Sequence, residues 1–137
     1  MRGLLQFKSY FYTRLSSDAD LVTLLGGAHI YDVVQESAAL PYIAYEQISS
    51  QNTHQLDEQM TEHVIGLIVV ARADSSLTTH NIMAQLEKLI DELPANADLT
   101  LGYEMLSAEL LSTSIEQTNF EIVKGLMQVK ILMTGGG

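Results

Sequence analysis

Histidine is the side chain of this sequence that most readily does chemistry, because a neutral imidazole binds metal ions and exchanges protons near neutral pH. The four histidines are His29, His54, His63 and His80. Metal sites usually show ligands about three or four residues apart on a helix, and no two histidines have that spacing. Acidic residues flank His54 and His63, but a polar loop in an acidic protein holds such residues without binding a metal. The histidines therefore predict no metal site and no cofactor.

The other reactive side chains form no catalytic motif. A serine nucleophile would occupy a sharp turn such as G-x-S-x-G, and that sequence does not occur. The pair Gly26-Gly27 precedes a strand pattern, so it indicates a helix stop and not a phosphate-binding loop. The acidic residues around Lys88 lie at a predicted helix end, which favours a solvated surface over paired-carboxylate catalysis. Because the chain also lacks cysteine, we expect a protein that is not an enzyme.

The charge of the chain argues against specific nucleic-acid binding. The 17 acidic and 7 basic residues give a formal net charge of -10. Binding to phosphates requires clustered Lys and Arg, yet Arg72 is the only basic residue between Arg14 and Lys88. An acidic wall can nevertheless let a DNA duplex slide past without sticking to it. The alternative is that the acidic residues only solvate the surface.

Length and composition fit one packed domain. Apolar residues make up 47% of the 137 residues and charged ones 18%. This balance favours a subunit that buries apolar surface against copies of itself, although compact monomers also show it. The longest apolar run, 64–71, is far shorter than the roughly 20 residues that cross a bilayer, so we expect no membrane partner. We expect a single domain over 1–134 and a flexible glycine tail over 135–137.

Helical spacing predicts helices at two places in the chain. Four apolar residues near the N-terminus recur at steps of three and four, which places them on one face of a helix over 3–15. They are Leu4, Phe7, Phe11 and Leu15. A second helical turn over 19–25 follows and ends at the glycine pair. A separate amphipathic helix begins at a cap cluster over 74–76 and ends before Pro94.

Apolar alternation predicts strands between and after these helices. The strands cover 29–32, 42–48, 63–73, 99–112 and 120–133. The third is apolar on both sides, as expected of a central strand with both faces covered. The polar segments between strands, 49–62 and 113–119, are interpreted as a long hairpin tip and a linker. The order α-β-β-β-α-β-β therefore predicts an α+β fold, a mainly antiparallel sheet with two helices packed on one face.

One segment, 21–48, has the sequence LVTLLGGAHIYDVVQESAALPYIAYEQI. A helix ends on the glycine pair, a short strand His-Ile-Tyr-Asp follows, and Pro41 opens the next strand after an apolar Ala-Ala-Leu. This order resembles the small tail-completion or tail-terminator proteins of long-tailed, non-contractile phages and of the gene transfer particles derived from them. The match extends more loosely over nearly the whole chain. It implies the predicted fold and a structural role in the virion.

The resemblance implies a ring, hexameric in that family, that caps the tail tube, ends its polymerisation and joins tail to head. The implied partners are other copies of the chain, the tail tube protein and the head-completion (stopper) protein, with the tape-measure protein as a further candidate. DNA would pass through the lumen without specific binding. The implied location is the head-proximal end of the virion tail, and the host cytoplasm during assembly. Two alternatives stay open: a head-completion or connector ring subunit, and a small non-viral α/β binding domain.

The predicted hairpin over 49–62 supplies the first group of candidate contact residues. A connection of that length is long for adjacent strands, and long loops in compact domains tend to be functional or disordered. In the resembled family, a comparable excursion reaches a neighbouring subunit or the tail tube. The candidates for such contacts are Gln51, His54, Gln55, Asp57 and Glu58. The alternative is a mobile loop without a partner.

A second group of candidates lies on the first helix and after the first strand. Tyr10 and Tyr12 fall partly off the apolar face of the helix, which suits a subunit interface, although an aromatic stripe is more often core. Val33 and Val34 belong to the segment 33–40, which is either a surface loop or a strap over the next subunit. We expect these four residues at the interface between subunits.

Overall fold

The computed structural model describes residues 1–55, 58–73 and 76–135, with the side chains at 54, 55, 58 and 59 excepted. Three α-helices lie within the described residues: α1 (Leu4–Ser16), α2 (Ala19–Leu25) and α3 (Ser76–Asp91). The strands are β1 (Ile30–Tyr31), β2 (Tyr42–Gln55), β3 (Glu58–Arg72), β4 (Ala97–Asp98), β5 (Tyr103–Gln117) and β6 (Ile122–Gly135). A 3-10 turn over Thr100–Gly102 joins β4 to β5.

All six strands form one sheet in the order β1-β2-β3-β6-β5-β4. The pair β1 and β2 is parallel, and every other pair is antiparallel. The predicted α+β class is confirmed, but the sheet is mixed. The predicted element order is also wrong, because the described chain follows α-α-β-β-β-α-β-β-β. The stretch over 19–25 is a full helix, and β4 is too short to show alternation in the sequence.

Two caps explain why the chain folds into separate helices at its N-terminal end. Asp18 begins α2, and its Oδ2 accepts a hydrogen bond from the backbone N–H of Leu21 at 2.9 Å. The same oxygen accepts from Gln85 Nε2 at 2.8 Å, which ties the start of α2 to α3. Gly26 ends α2 with φ of 76°, a left-handed conformation that favours glycine. The predicted helix stop at this glycine is confirmed.

The core lies between the three helices and one face of the sheet. The predicted apolar face of α1 is buried, and α3 contributes Ile82, Leu86 and Ile90. Alternate residues of the central strands β3 and β6 point into this layer. They include Ile65, Leu67 and Val69 of β3 and Met127, Val129 and Ile131 of β6. The prediction that the third strand lies centrally is confirmed, and its second face is only partly buried in the isolated chain.

The segment 49–62 is not the loop that its polarity predicts. Strands β2 and β3 stay paired from Tyr42 opposite Val70 to Gln55 opposite Glu58. The predicted linker over 113–119 is also wrong, because β5 continues to Gln117. Backbone pairing satisfies the N–H and C=O groups of a strand whatever its side chains are, so polar residues continue both ladders beyond the core. Two long hairpins result, β2–β3 and β5–β6, with their turns at opposite ends of the sheet.

Candidate assembly surfaces

A groove of about 310 Å³ lies between α1 and β1. The residues that line it are Leu5, Lys8, Ser9, Tyr12, Ile30, Tyr31, Asp32 and Tyr45. Four of these residues belong to α1. Lys8, Ser9 and Tyr12 follow Leu5 by three, four and seven positions, so the four form a stripe beside the buried face of the helix. Leu5 is 69% exposed and Tyr12 46% exposed. The walls are therefore largely apolar and open to solvent.

An ion pair and a buried phenol set the electrostatics of this α1–β1 groove. Lys8 Nζ lies 2.7 Å from Asp32 Oδ1 and 4.8 Å from the centroid of the Tyr45 ring. Burial, together with the negative charge of Asp32, raises the pKa of the Tyr45 phenol well above its usual value, so the ring is neutral at physiological pH. The groove is therefore suited to binding an apolar or aromatic group, with charge confined to its rim.

The N-terminal helix is the basic part of an acidic protein. Arg2, Lys8 and Arg14 account for three of the seven basic residues, whereas the first acidic residue is Asp18. Lys8 is paired with Asp32, and both arginines project from the ends of α1, with Arg2 exposed and Arg14 half-buried. The Lys8 charge in the α1–β1 groove is therefore balanced by Asp32, and the remaining positive charge of this segment lies near the two ends of α1.

The predicted interface residues fall on two sides of α1. Tyr12 lines the α1–β1 groove, and Val33 and Val34 are exposed in the segment that follows β1. Val33, at 79% exposure, also lines a neighbouring depression that shares Tyr31 with the groove. Tyr10 is half-buried against the core and faces another depression, beside Leu99. Three of the four residues thus lie near the groove, and Tyr10 does not.

The candidates in the β2–β3 hairpin belong to strands and not to a loop. Gln51 is exposed and lies opposite Glu62 in the ladder. His54 and Gln55 are in β2 and Glu58 is in β3, at the end of the hairpin. Asp57 lies outside the described residues. The hairpin therefore carries these positions at the end of the sheet where β3 begins.

Sequence reasoning missed the tip of the β5–β6 hairpin. Phe120 is 98% exposed there. Asn119 Oδ1 accepts hydrogen bonds from the backbone N–H groups of Glu121 at 2.7 Å and Ile122 at 2.9 Å. The Thr118 N–H donates to the Ile122 carbonyl at 3.0 Å, which closes the turn. The available signal was an asparagine, a common turn former, directly before a phenylalanine that the alternation pattern assigned to a strand.

Two strand edges have no partner within the described part of the chain. On one side of the sheet, β1 pairs with β2 only at Ile43 and Ala44, which leaves the outer edge of β2 open over 45–55. On the other side, β4 pairs with β5 only at Glu104 and Met105, and the outer edge is open over 107–117. Open edges of this length can pair with another chain.

The histidines have structural positions. His63 is fully buried, and its Nε2 donates to the Arg2 carbonyl at 2.8 Å. Because that nitrogen carries the proton, Nδ1 accepts from the Ser50 hydroxyl at 2.7 Å. Burial lowers the pKa of His63, against the opposing effect of its hydrogen bond to Arg2. The Nδ1 atom of His29 lies 3.1 Å from the Pro41 carbonyl oxygen. The hydrogen bonds of His63 fix Arg2, just before α1, to the central strand β3.

Two kinds of feature are absent from the described residues. No group of three or more of their His, Asp or Glu side chains could hold a metal ion. No helix in the same residues is long and apolar enough to span a bilayer.

Open strand edges, an apolar groove and a protruding aromatic side chain are features that can contact other protein chains. The family model of tail completion protein gp17 matches residues 10–119. The chain belongs to this family of phage tail proteins, which confirms the resemblance found in the sequence. The family is structural and not a class of enzymes.

Comparison with solved structures supports the fold. A chain from the virion of a native gene transfer agent (GTA) particle has a TM-score of 0.76 and 17% sequence identity. The match covers 90% of this chain and 91% of that chain. At this identity the likeness shows a common fold alone. No curated protein matches the chain.

Proposed function

We propose that this protein is a tail terminator. Identical subunits form a ring on the last turn of the tail tube, stop its polymerisation and join the tail to the head. The observation that carries the proposal is the match to the tail completion family over most of the chain. The GTA virion chain with the same fold supports a place in a particle. We place the ring at the head-proximal end of the tail and its assembly in the host cytoplasm.

The arrangement of the sheet supports a ring. The open edge of β2 and the open edge of β5 lie on opposite sides of the same sheet. A contact between two different surfaces of identical subunits is heterologous, and repetition of it gives either a closed ring or a filament. We propose closure into a hexamer, as in the resembled family. Tyr10, Tyr12, Val33 and Val34 then lie at or near the contact between neighbours.

Capping requires a surface that binds the tube on one side of the ring only. The β2–β3 hairpin extends from one end of the sheet, and we propose that it contacts the tail tube protein through Gln51, His54, Gln55, Asp57 and Glu58. The opposite side of the ring then meets the head-completion protein. Because that side differs from the tube end, no further tube subunit is recruited. The tape-measure protein is a further partner at the lumen.

The charge of the chain fits passage of DNA through the ring. With a net charge of -10, the protein repels phosphates over most of its surface. The basic residues near the N-terminus are few and partly paired, so they offer little counterion release. DNA passes through the lumen without being held.

The decisive experiment is electron microscopy of particles made with this gene deleted. Abnormally long tails without heads are the expected result. Tails of normal length beside separate heads would assign the protein to head completion instead. Wholly normal particles would refute a role in assembly.

A pair of variants tests the hairpin contact by complementing the deletion. Gln51→Arg adds a positive charge to an exposed position of the β2–β3 hairpin, and Asn81→Arg makes the same change at an exposed position of α3. We expect Gln51→Arg to leave overlong tails and Asn81→Arg to restore normal ones. Equal rescue by both variants would refute the tube contact at this hairpin.

A further inference from the structure

We propose that Phe120 of one subunit inserts into the α1–β1 groove of the next copy in the ring. The inference rests on the proposed ring, and it assigns that ring a specific lateral contact. It joins two features that the isolated chain leaves unused: a fully exposed aromatic side chain and an open apolar groove.

Phe120 is exposed on a turn that hydrogen bonds hold in one conformation. The other two phenylalanines, Phe7 and Phe11, are 2% and 3% exposed, so exposure of Phe120 is unlike the rest of the chain. Its turn is fixed by the Asn119 side chain and by a backbone hydrogen bond from Ala73 to the Glu121 carbonyl at 2.9 Å. An aromatic residue on a rigid turn loses little conformational entropy on binding. Such residues are typical anchors of protein interfaces.

The groove has the size and lining that a phenyl ring requires. Its volume of about 310 Å³ exceeds the ~150 Å³ of an apolar cavity that binds benzene. Leu5, Tyr12 and Ile30 supply apolar walls, and Tyr45 is uncharged. Aromatic rings pack favourably against one another in offset or edge-to-face arrangements.

Exposed apolar side chains at both edges favour this hairpin as the occupant. Those at the β5 edge of the sheet are Leu111, Ile115 and Phe120, and those at the groove edge are Leu5, Tyr12 and Val33. Charge does not oppose the contact, because Lys124 lies opposite Glu116 in the ladder and Lys8 is paired with Asp32. Docking therefore covers exposed apolar surface on both copies.

The topology requires that the contact be between copies. Strands β2, β3 and β6 separate β1 from β5, a lateral distance of roughly 19 Å at the usual strand spacing. The Phe120 turn follows directly on the pairing of Arg72 with Ile122, and the groove lies beside the start of β2, opposite the end of β3. Both features are thus at the same end of the sheet but at opposite edges. Subunits placed side by side, with a stagger along the strand direction, bring the two features together, and the contact is heterologous, as a ring needs.

Disulfide trapping tests the contact directly, because the chain has no cysteine of its own. Glu121→Cys protein is mixed with Ser9→Cys protein under mild oxidation, alone and on purified tail tubes, and mixed dimers are quantified. Both positions are exposed beside the proposed contact, and the changes leave Phe120 and Tyr12 in place. The control partner is His80→Cys, at an exposed position of α3. We expect the Ser9→Cys pair to cross-link at least about tenfold faster than the control pair in one of the two conditions. Equal rates in both conditions would overturn the proposal.

The double variant carrying Glu121→Cys and Ser9→Cys adds a test of closure. Cross-linking between successive copies gives a ladder on a denaturing gel, and the ladder should end at the number of subunits in the ring. Only intramolecular disulfides, without a ladder, would contradict a contact between copies.

Removal of the Phe120 phenyl group measures how much this contact contributes to subunit association. Phe120→Ala should leave the thermal unfolding of the subunit unchanged, because the side chain makes no contact to lose, and weaken subunit association by roughly 10- to 100-fold. Leu101→Ala, at another exposed apolar residue, should not weaken it.

The two proposals fail in different ways. If gene deletion gives overlong tails but Phe120→Ala restores normal tails and associates normally, the Phe120 contact is refuted and the terminator role stands. If Phe120→Ala gives overlong tails while the Ser9→Cys pair fails to cross-link, Phe120 binds a different partner and the groove assignment is refuted. If deletion leaves the tails normal, the terminator role itself is refuted.

Discussion

Replacement of His63 tests whether its buried hydrogen bonds hold the N-terminal helix in place. The ring is fully buried, and its two nitrogens bond to the Arg2 carbonyl and the Ser50 hydroxyl. Truncation to alanine removes both bonds and leaves a cavity, which costs about 2–4 kcal/mol of unfolding free energy. At roughly 3–5 °C per kcal/mol for a domain of this size, the Tm should fall by roughly 10 °C. His80→Ala, at an exposed histidine, should change stability by less than about 0.5 kcal/mol.

The difference in unfolding free energy between the unmodified protein and His63→Ala should depend on pH, and this dependence reports the protonation of His63. Burial lowers the pKa of His63 in the folded protein below its value in the unfolded chain, which is about 6.5. As the pH falls, the unfolded chain therefore takes up the proton first. The contribution of neutral His63 is therefore fully present above about pH 6.5 and declines below it, by at most about 1.4 kcal/mol per pH unit. Other groups titrate equally in both proteins. The stability advantage of the unmodified protein over His63→Ala should thus narrow on acidification.

Chemical denaturation of both proteins between about pH 8 and pH 5.5 provides the measurement. An advantage that stays constant over this range would show that His63 is not held neutral by burial. An advantage that grows on acidification would show that the folded protein binds the proton more tightly than the unfolded chain, and it would refute a neutral ring whose Nδ1 accepts from Ser50. Cleavage at the N-terminus by a protease should also rise for His63→Ala, because the residue before α1 loses its attachment to β3.

Two further substitutions test contacts that position the helices. Asp18→Ala removes the acceptor of both the Leu21 N–H and the Gln85 amide and should cost about 1–2 kcal/mol in thermal or denaturant unfolding, whereas Asp20→Ala should have little effect. Gly125→Ala places a Cβ against the Met83 side chain and should cost about 1–3 kcal/mol. Because Met83→Ala makes room for that Cβ, the double variant should be more stable than the two single costs predict; additive costs would refute the close contact.

The helices and the central strands were predictable because each has a regular apolar period. The spacing of apolar residues from Leu4 to Leu15 predicts that one side of α1 is buried. The apolar run of β3 predicts that this strand lies at the centre of the sheet. The hairpin extensions were not predictable in the same way. Their backbone groups are satisfied by the neighbouring strand, so their side chains, from Ser49 to Gln55, are free to be polar.

The contact surfaces were predictable only in part, because exposure depends on tertiary packing. Tyr12 stood out because it lies partly off the apolar face of α1, and Val33 because it lies in a predicted loop or strap; both are exposed. Phe120 did not, since a phenylalanine before an alternating stretch has the same local pattern whether it begins a strand or occupies a turn. Its full exposure follows from the Asn119 turn, whose hydrogen bonds place it beyond the first paired residue of β6.

The geometry separates the lateral contacts of the proposed ring from its contact with the tube, and the two should therefore fail differently. Phe120 and the α1–β1 groove lie at the two side edges of the sheet, whereas Gln51 lies on the hairpin that extends from one end. Both Phe120→Ala and Gln51→Arg should give overlong tails. Only Gln51→Arg should still give the full cross-linked ladder when combined with Ser9→Cys and Glu121→Cys. Loss of the ladder in that variant would mean that the β2–β3 hairpin contributes to ring closure, and that the division between side and end contacts is wrong.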